Sequence, residues 1–223
     1  MLKKLVLTSI ITFILISCAT SSLGRKQLTM VPAEEMDAMG AEAFEQLKEK
    51  TPIEGNRRTN SYVKCVADAI IEVSESQIPI DKWEVVVFRD ETANAFALPG
   101  GKIGVHTGLL NVAKNQDQLA AVIGHEVGHV RENHSNERVS QASLLEQGLS
   151  LVQIVSDPQS QMGQQLMKLL GLGSQYGIIM PYSRKHESEA DEVGLYLMAK
   201  AGFKPEESVT LWENMSQSGG EEP

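Results

Sequence analysis

The chain has 223 residues, 42% of them hydrophobic and only 5% aromatic, with a formal charge of −9. That length is enough for one domain with a proper core. The acidic balance argues against nucleic acid as a partner and against electrostatic adhesion to an anionic membrane surface.

The first predicted element is an export signal over residues 1–17. Met1-Leu2-Lys3-Lys4 supplies a basic start, Leu5 to Ile16 an apolar run, and Ser17 a small residue before Cys18. The run falls short of the ~20 residues a membrane span needs. Leu15-Ile16-Ser17-Cys18 resembles the bacterial lipobox, in which the cysteine becomes the acylated first residue of the mature chain. Cys18 is therefore the expected lipidation site. Ala19 after it, rather than aspartate, resembles proteins sorted onward to the outer membrane. Loss of residues 1–17 takes away Lys3 and Lys4 and moves the formal charge from −9 to −11. Residues 18–30, through Ala19-Thr20-Ser21-Ser22-Leu23-Gly24, read as a flexible tether, 31–216 as the domain and 217–223 as a disordered tail. With Cys18 acylated, only Cys65 remains, so no intramolecular disulfide forms. Its place in the amphipathic stretch Tyr62–Val73, among Val63, Val66, Ala69 and Ile70, reads as buried.

Pro32–Lys50 has helical composition, and Asn60–Ser74 is a second, amphipathic helix. Trp83–Phe88 is the clearest strand. Asn94–Leu98 and Lys102–His106 read as two more, joined by the turn Pro99-Gly100-Gly101. Everything after Gly108 reads helical. The expected fold is α+β: a mainly helical domain with a small antiparallel sheet. Asn94 to Ala97 is the candidate edge of the sheet, with Asn94, Ala95 and Phe96 as candidate substrate-binding residues. Asn94 and Ala95 suit a central strand poorly, and an exposed edge can hold an extended peptide by backbone hydrogen bonds. Between Val139 and Ser183 the only charges are Glu146, Asp157 and Lys168. A pair of packed helices is the expected form there; a lid, an oligomer contact and a membrane-facing patch are the other readings.

The stretch His125-Glu126-Val127-Gly128-His129 carries the chemistry. Residues four apart lie on one helical face, about 6 Å along the axis, so both imidazoles can reach one ion. Zinc lowers the pKa of a bound water toward ~7, and Glu126 beside it can take the proton as hydroxide attacks a carbonyl. The flanking run from Gln118 to Gly124 is a good helix former with no proline. A catalytic zinc needs a third protein ligand. The form with a glycine and a third histidine shortly downstream is excluded, because Glu132 and Ser135 stand at those places and His134 falls one short.

The best source of a third ligand is Ser183 to Asp191, ahead of a helix whose buried face is Val193, Leu195, Leu197 and Met198. Glu187 and Asp191 are also four apart. One can bind the metal while the other holds the N–H of a ligand histidine. Glu146 is nearer in sequence but has no acidic partner four residues on. His106 reads as a strand-end polar residue, and His186 as a neighbour of Glu187, with approach to the metal as its other reading.

His125-Glu126-x-x-His129 followed by Glu187-x-x-Ala190-Asp191 resembles the gluzincin metallopeptidases of the HtpX and CAAX-prenyl-protease family, nearest their small bacterial lipoprotein branch. Asn94 to Gly101, then Ile103, Val105 and Gly108-Leu109-Leu110, is similar to that family's strand and turn before the active-site helix. The resemblance spans roughly residues 30–215. It implies a zincin-like domain with the sheet beside the active-site helix and one Zn2+ per chain. His125, His129 and Glu187 would be the ligands, Glu126 the general base, and Asp191 the support of a ligand histidine. It also implies a further segment, with Thr-His-Pro and an arginine, past Leu211 to Met215. The sequence stops at Pro223 without it, either as a fragment or as a protein that has lost that piece, so a zinc site is the firmer expectation and whatever closes the cleft or stabilises the oxyanion is the open one.

The function these features imply is zinc metalloendopeptidase activity on protein and peptide substrates of the Gram-negative cell envelope, in protein quality control. The protein would be lipid-anchored, on the outer membrane facing the periplasm. The alternative is a zinc-stabilised lipoprotein acting as a chaperone or scaffold without cleavage. Glu126 argues against that, since metal binding alone does not need it.

Overall fold

The computed structural model describes residues 18–145 and 184–217. The signal, Glu146, most of the segment to Ser183 and the tail beyond Gln217 lie outside them. In chain order come β1 (Cys18–Thr20), β2 (Lys26–Leu28), α1 (Ala33–Lys50), α2 (Arg57–Val73), β3 (Glu84–Phe88), β4 (Ala95–Leu98), β5 (Lys102–His106), a short α3 (Leu109–Val112), α4 (Gln116–Arg131), α5 (His134–Leu145), α6 (Arg184–Lys200) and α7 (Glu207–Gln217). The expected α+β class holds. No helix among the described residues is long and apolar enough to cross a membrane.

The main sheet has the order β3-β5-β4. β4 and β5 are antiparallel through the Pro99–Gly101 turn, where Gly100 and Gly101 take φ of 76° and 74°. β3 runs parallel to β5, so the sheet is mixed rather than wholly antiparallel. Side chains alternate between its faces. Val87, Ala97, Ile103 and Val105 pack with α2, α4 and α6, while Phe88, Phe96 and Leu98 pack with Phe44 of α1. Gly104 lies under the Phe96 ring, where an added Cβ would come within 2.1 Å of it.

α4 is the central helix, buried on nearly every side from Gln118 to His129. Asn115 caps it by accepting from the Gln118 N–H at 2.9 Å. The Asn115 and Gln118 amides both donate to Glu207, which ties down the start of α7. Two residues past the end of α4 comes Asn133, whose φ of 53° is a left-handed conformation that asparagine tolerates better than most residues.

Two expectations are corrected. Residues 18–30 do not form a free tether: β1 and β2 pair as an antiparallel hairpin, and the segment is hydrogen-bonded to residues 132–140. Cys65 is exposed, not buried. The buried stripe of α2 is Val63, Val66, Ala67, Ile70 and Ile71, and Cys65 falls outside that i, i+3, i+4 pattern.

Candidate metal centre

Two helices build the site by crossing closely. Gly124 and Gly128 of α4 face Gly194 and Ala190 of α6, and a Cβ on Gly194 would lie 2.8 Å from the His125 nitrogen. Small residues there bring the α6 backbone against α4, so the carboxylates in the first two turns of α6 reach the imidazoles. His125 Nε2 and His129 Nε2 lie 2.9 Å apart, and Glu187 Oε2 is 3.4 Å from the first and 3.8 Å from the second. All three atoms fall within 4.8 Å of one another.

That triangle fits a zinc ion. Bonds of about 2.0–2.2 Å in tetrahedral geometry place ligand atoms about 3.3–3.5 Å apart. Glu187 Oε1 is buried and has no hydrogen-bond partner among the described residues, as expected of a carboxylate aimed at a cation rather than at donors. Each imidazole is also held from behind. His125 Nδ1 is 2.7 Å from Asp191 Oδ1, and His129 Nδ1 is 2.8 Å from His134 Nδ1.

The protons follow from these contacts. Burial pulls His125 down, but hydrogen bonds to Asp191 and Glu187 outweigh it and push the ring up to about 10. Burial and the His125 charge keep His129 neutral, well below its ordinary value. The charged His125 ring thus donates from Nδ1 to Asp191 and from Nε2 to His129, and a metal held by both Nε2 atoms would displace the proton between the rings.

Glu126 sits on the same helix beside this triangle. Burial, with Glu187 nearby, raises its carboxyl to about 7 despite the opposing pull of His125. Its Oε2 accepts from the Ala97 N–H of β4 at 3.2 Å. Among the described residues β4 pairs only with β5, so its other side is an edge turned toward α4. In an antiparallel ladder the N–H and C=O of one residue point the same way. The Asn94 carbonyl accepts from the His106 N–H on the β5 side, so Ala95 and Ala97 present their backbones at the edge. Of Asn94, Ala95 and Phe96, only Ala95 thus faces the site. The Asn94 N–H is used by Thr92, and the Phe96 ring is buried against Phe44 and Phe88.

A sequence profile adds the deciding observation: that of Peptidase family M48 matches residues 57–221. The chain belongs to peptidase family M48. It is 39% identical to the mitochondrial metalloendopeptidase OMA1 of Schizosaccharomyces pombe over 163 residues, 73% of this chain and 46% of that protein. To the protein of that name from Arabidopsis thaliana it is 33% identical over 206 residues, 90% of this chain and 38% of the relative. The beta-barrel assembly-enhancing protease of Escherichia coli is 26% identical over 193 residues, 84% of this chain and 38% of that protein. The M48 chain described here spans less than half the length of these relatives.

Some residues of this M48 site escaped the sequence reading. Ala97 lay within the expected edge Asn94–Ala97, but that its N–H rather than that of Phe96 faces the site follows from strand parity, which needs the register. Trp212 of α7 stands edge-on to His125, ring centroids 6.4 Å apart. His134 does meet the histidine pair, though through the back of His129 rather than as a ligand. In an unbroken helix a residue five further on would face elsewhere; the left-handed Asn133 turns His134 back. His186 does not join the triangle: its Nε2 lies 3.0 Å from Glu137 Oε2, and its ring stacks on His134. His106 is buried at the end of β5 with Thr92 Oγ1 2.7 Å from its Nδ1.

Proposed function

We propose that this M48 chain is a zinc metalloendopeptidase, anchored through an acylated Cys18, that cuts proteins of the cell envelope in quality control. We place it in the small lipoprotein branch that its motifs resemble, on the outer membrane facing the periplasm. The convergence of His125, His129 and Glu187, with the Glu126 carboxylate beside them, is the observation that carries the reading. A zinc ion held there supplies an activated water and polarises the scissile carbonyl. Glu126, raised toward neutrality, is poised to take the water's proton and pass it to the departing amine. Asp191 and His134 hold the two rings with their Nε2 atoms facing the carboxylate of Glu187. The edge groups of Ala95 and Ala97 can align an extended peptide, the Ala97 N–H being shared with Glu126. Cys18 is the first residue of β1, paired with Leu28, so an acyl chain there would join the folded hairpin with little free linker.

Digestion of an unstructured protein such as casein tests this. Cleavage is expected from the purified chain, lost with a chelator and restored by stoichiometric zinc. Zinc binding without any cleavage would favour the scaffold reading instead.

A further inference from the structure

Behind the metal triangle lies a second buried polar cluster, assembled from three distant parts of the chain. His134 is fully buried, with Nδ1 toward His129 and Nε2 3.0 Å from Glu189 Oε2. Glu189 and Glu137 are buried carboxylates on α6 and α5, their side chains 4% and 6% exposed. Two such charges facing one another are costly unless paired. Arg25, from the turn between β1 and β2, enters between them. Its Nε donates to Glu189 at 2.7 Å, and its Nη1 donates to Glu137 at 2.9 Å. Gln27 of β2 donates a side-chain N–H to the Glu132 carbonyl, and Ser22 donates through both N–H and Oγ to the Glu132 carboxylate, at 2.8 and 2.6 Å.

These contacts form one directed chain. The guanidinium holds Glu189 as an acceptor, and an acceptor at that place requires the proton of neutral His134 to be on Nε2. His134 Nδ1 is then a lone pair that accepts the His129 Nδ1–H, which leaves His129 Nε2 as the lone pair facing Glu187 and His125. His125 needs no such chain, because Asp191 holds it directly. We propose that Arg25 is a positioning residue of the metal centre: through Glu189 and His134 it fixes the orientation and tautomer of His129, so that the Arg25 guanidinium seated between Glu189 and Glu137 sets the affinity of the site for zinc. This rests on the metal-centre reading above. It adds that residues at the start of the mature chain, about a hundred positions from the helix they serve, belong to the site.

Zinc affinity of the full mature chain, measured by competition with a chromophoric chelator, tests the proposal together with the visible spectrum of the cobalt-substituted protein. Arg25→Gln is expected to weaken zinc by about 10–100-fold, the range for losing an outer hydrogen-bond partner of a ligand, and to shift the cobalt bands. Arg25→Lys keeps the charge without the fork and should fall between; it carries the test if Arg25→Gln does not fold. Ser22→Ala loosens the hairpin away from the relay and should lower the melting temperature with zinc affinity unchanged. If Arg25→Gln lowers only the melting temperature, or if Ser22→Ala weakens zinc equally, the relay is wrong and the hairpin is merely structural. A wild-type chain that binds no zinc would instead overturn the metal centre itself.

Discussion

Glu187 and Glu126 are carboxylates beside the same two imidazoles, yet their loss has opposite consequences. Glu187→Ala removes a ligand and should weaken zinc by more than about a hundredfold, beyond the 10–100-fold typical of an outer partner such as Asp191. Unchanged zinc content after dialysis would take Glu187 out of the site. The metal-free proton on His125 makes a second claim. Its position at about 10 lies above neutral pH, so zinc must displace a proton at pH 7, and affinity must fall as pH falls. Titration calorimetry in buffers of different ionisation enthalpy should show about one proton or more released per zinc, with Glu126 adding to the His125 proton; a buffer-independent heat would contradict the assignment.

Among the elements, the crossing of α4 and α6 is where sequence and site are most tightly joined. Gly194→Ala places a methyl within 2.8 Å of the His125 backbone, and overpacking of this kind costs about 1–3 kcal/mol. Denaturant unfolding should register that loss together with weaker zinc binding. Gly55→Ala, with no atom within 4 Å of the added carbon, should change stability by less than about 0.5 kcal/mol. What was legible in the sequence was local. The i, i+4 spacing places His125 and His129 on one face and Glu187 and Asp191 on another, and alternation marks β3, β4 and β5. The parallel β3–β5 ladder was not legible, because strand direction depends on a connection with no signature of its own. Nor was the parity that turns Ala95 and Ala97, rather than Asn94 and Phe96, to the edge. Arg25 was hidden for the same reason: its partners lie 112 and 164 residues away, and its neighbours Ser21-Ser22-Leu23-Gly24 have the composition of a linker.

For the whole molecule, a metal held by His125, His129 and Glu187 would join α4 to α6, and the hairpin is hydrogen-bonded to Glu132 at the end of α4, to Glu137 of α5 and to Glu189 of α6. Both should act on global stability. Free zinc at a hundred times its dissociation constant adds about 2.7 kcal/mol, which for a domain of this size raises the melting temperature by about 5–10 °C. Thermal unfolding with and without chelator checks this, and an unchanged transition would mean that the ion does not bind the folded chain. The central claim is the division of labour at α4, with two histidines for the metal and the glutamate between them for the proton. Glu126→Gln decides it most directly, with zinc content and cleavage of an unstructured protein measured on the same sample. One zinc per chain is expected, as in the wild type, with cleavage reduced by about 10²–10⁴-fold, the share general base catalysis supplies. A variant that holds its zinc and still cuts at the wild-type rate would contradict it.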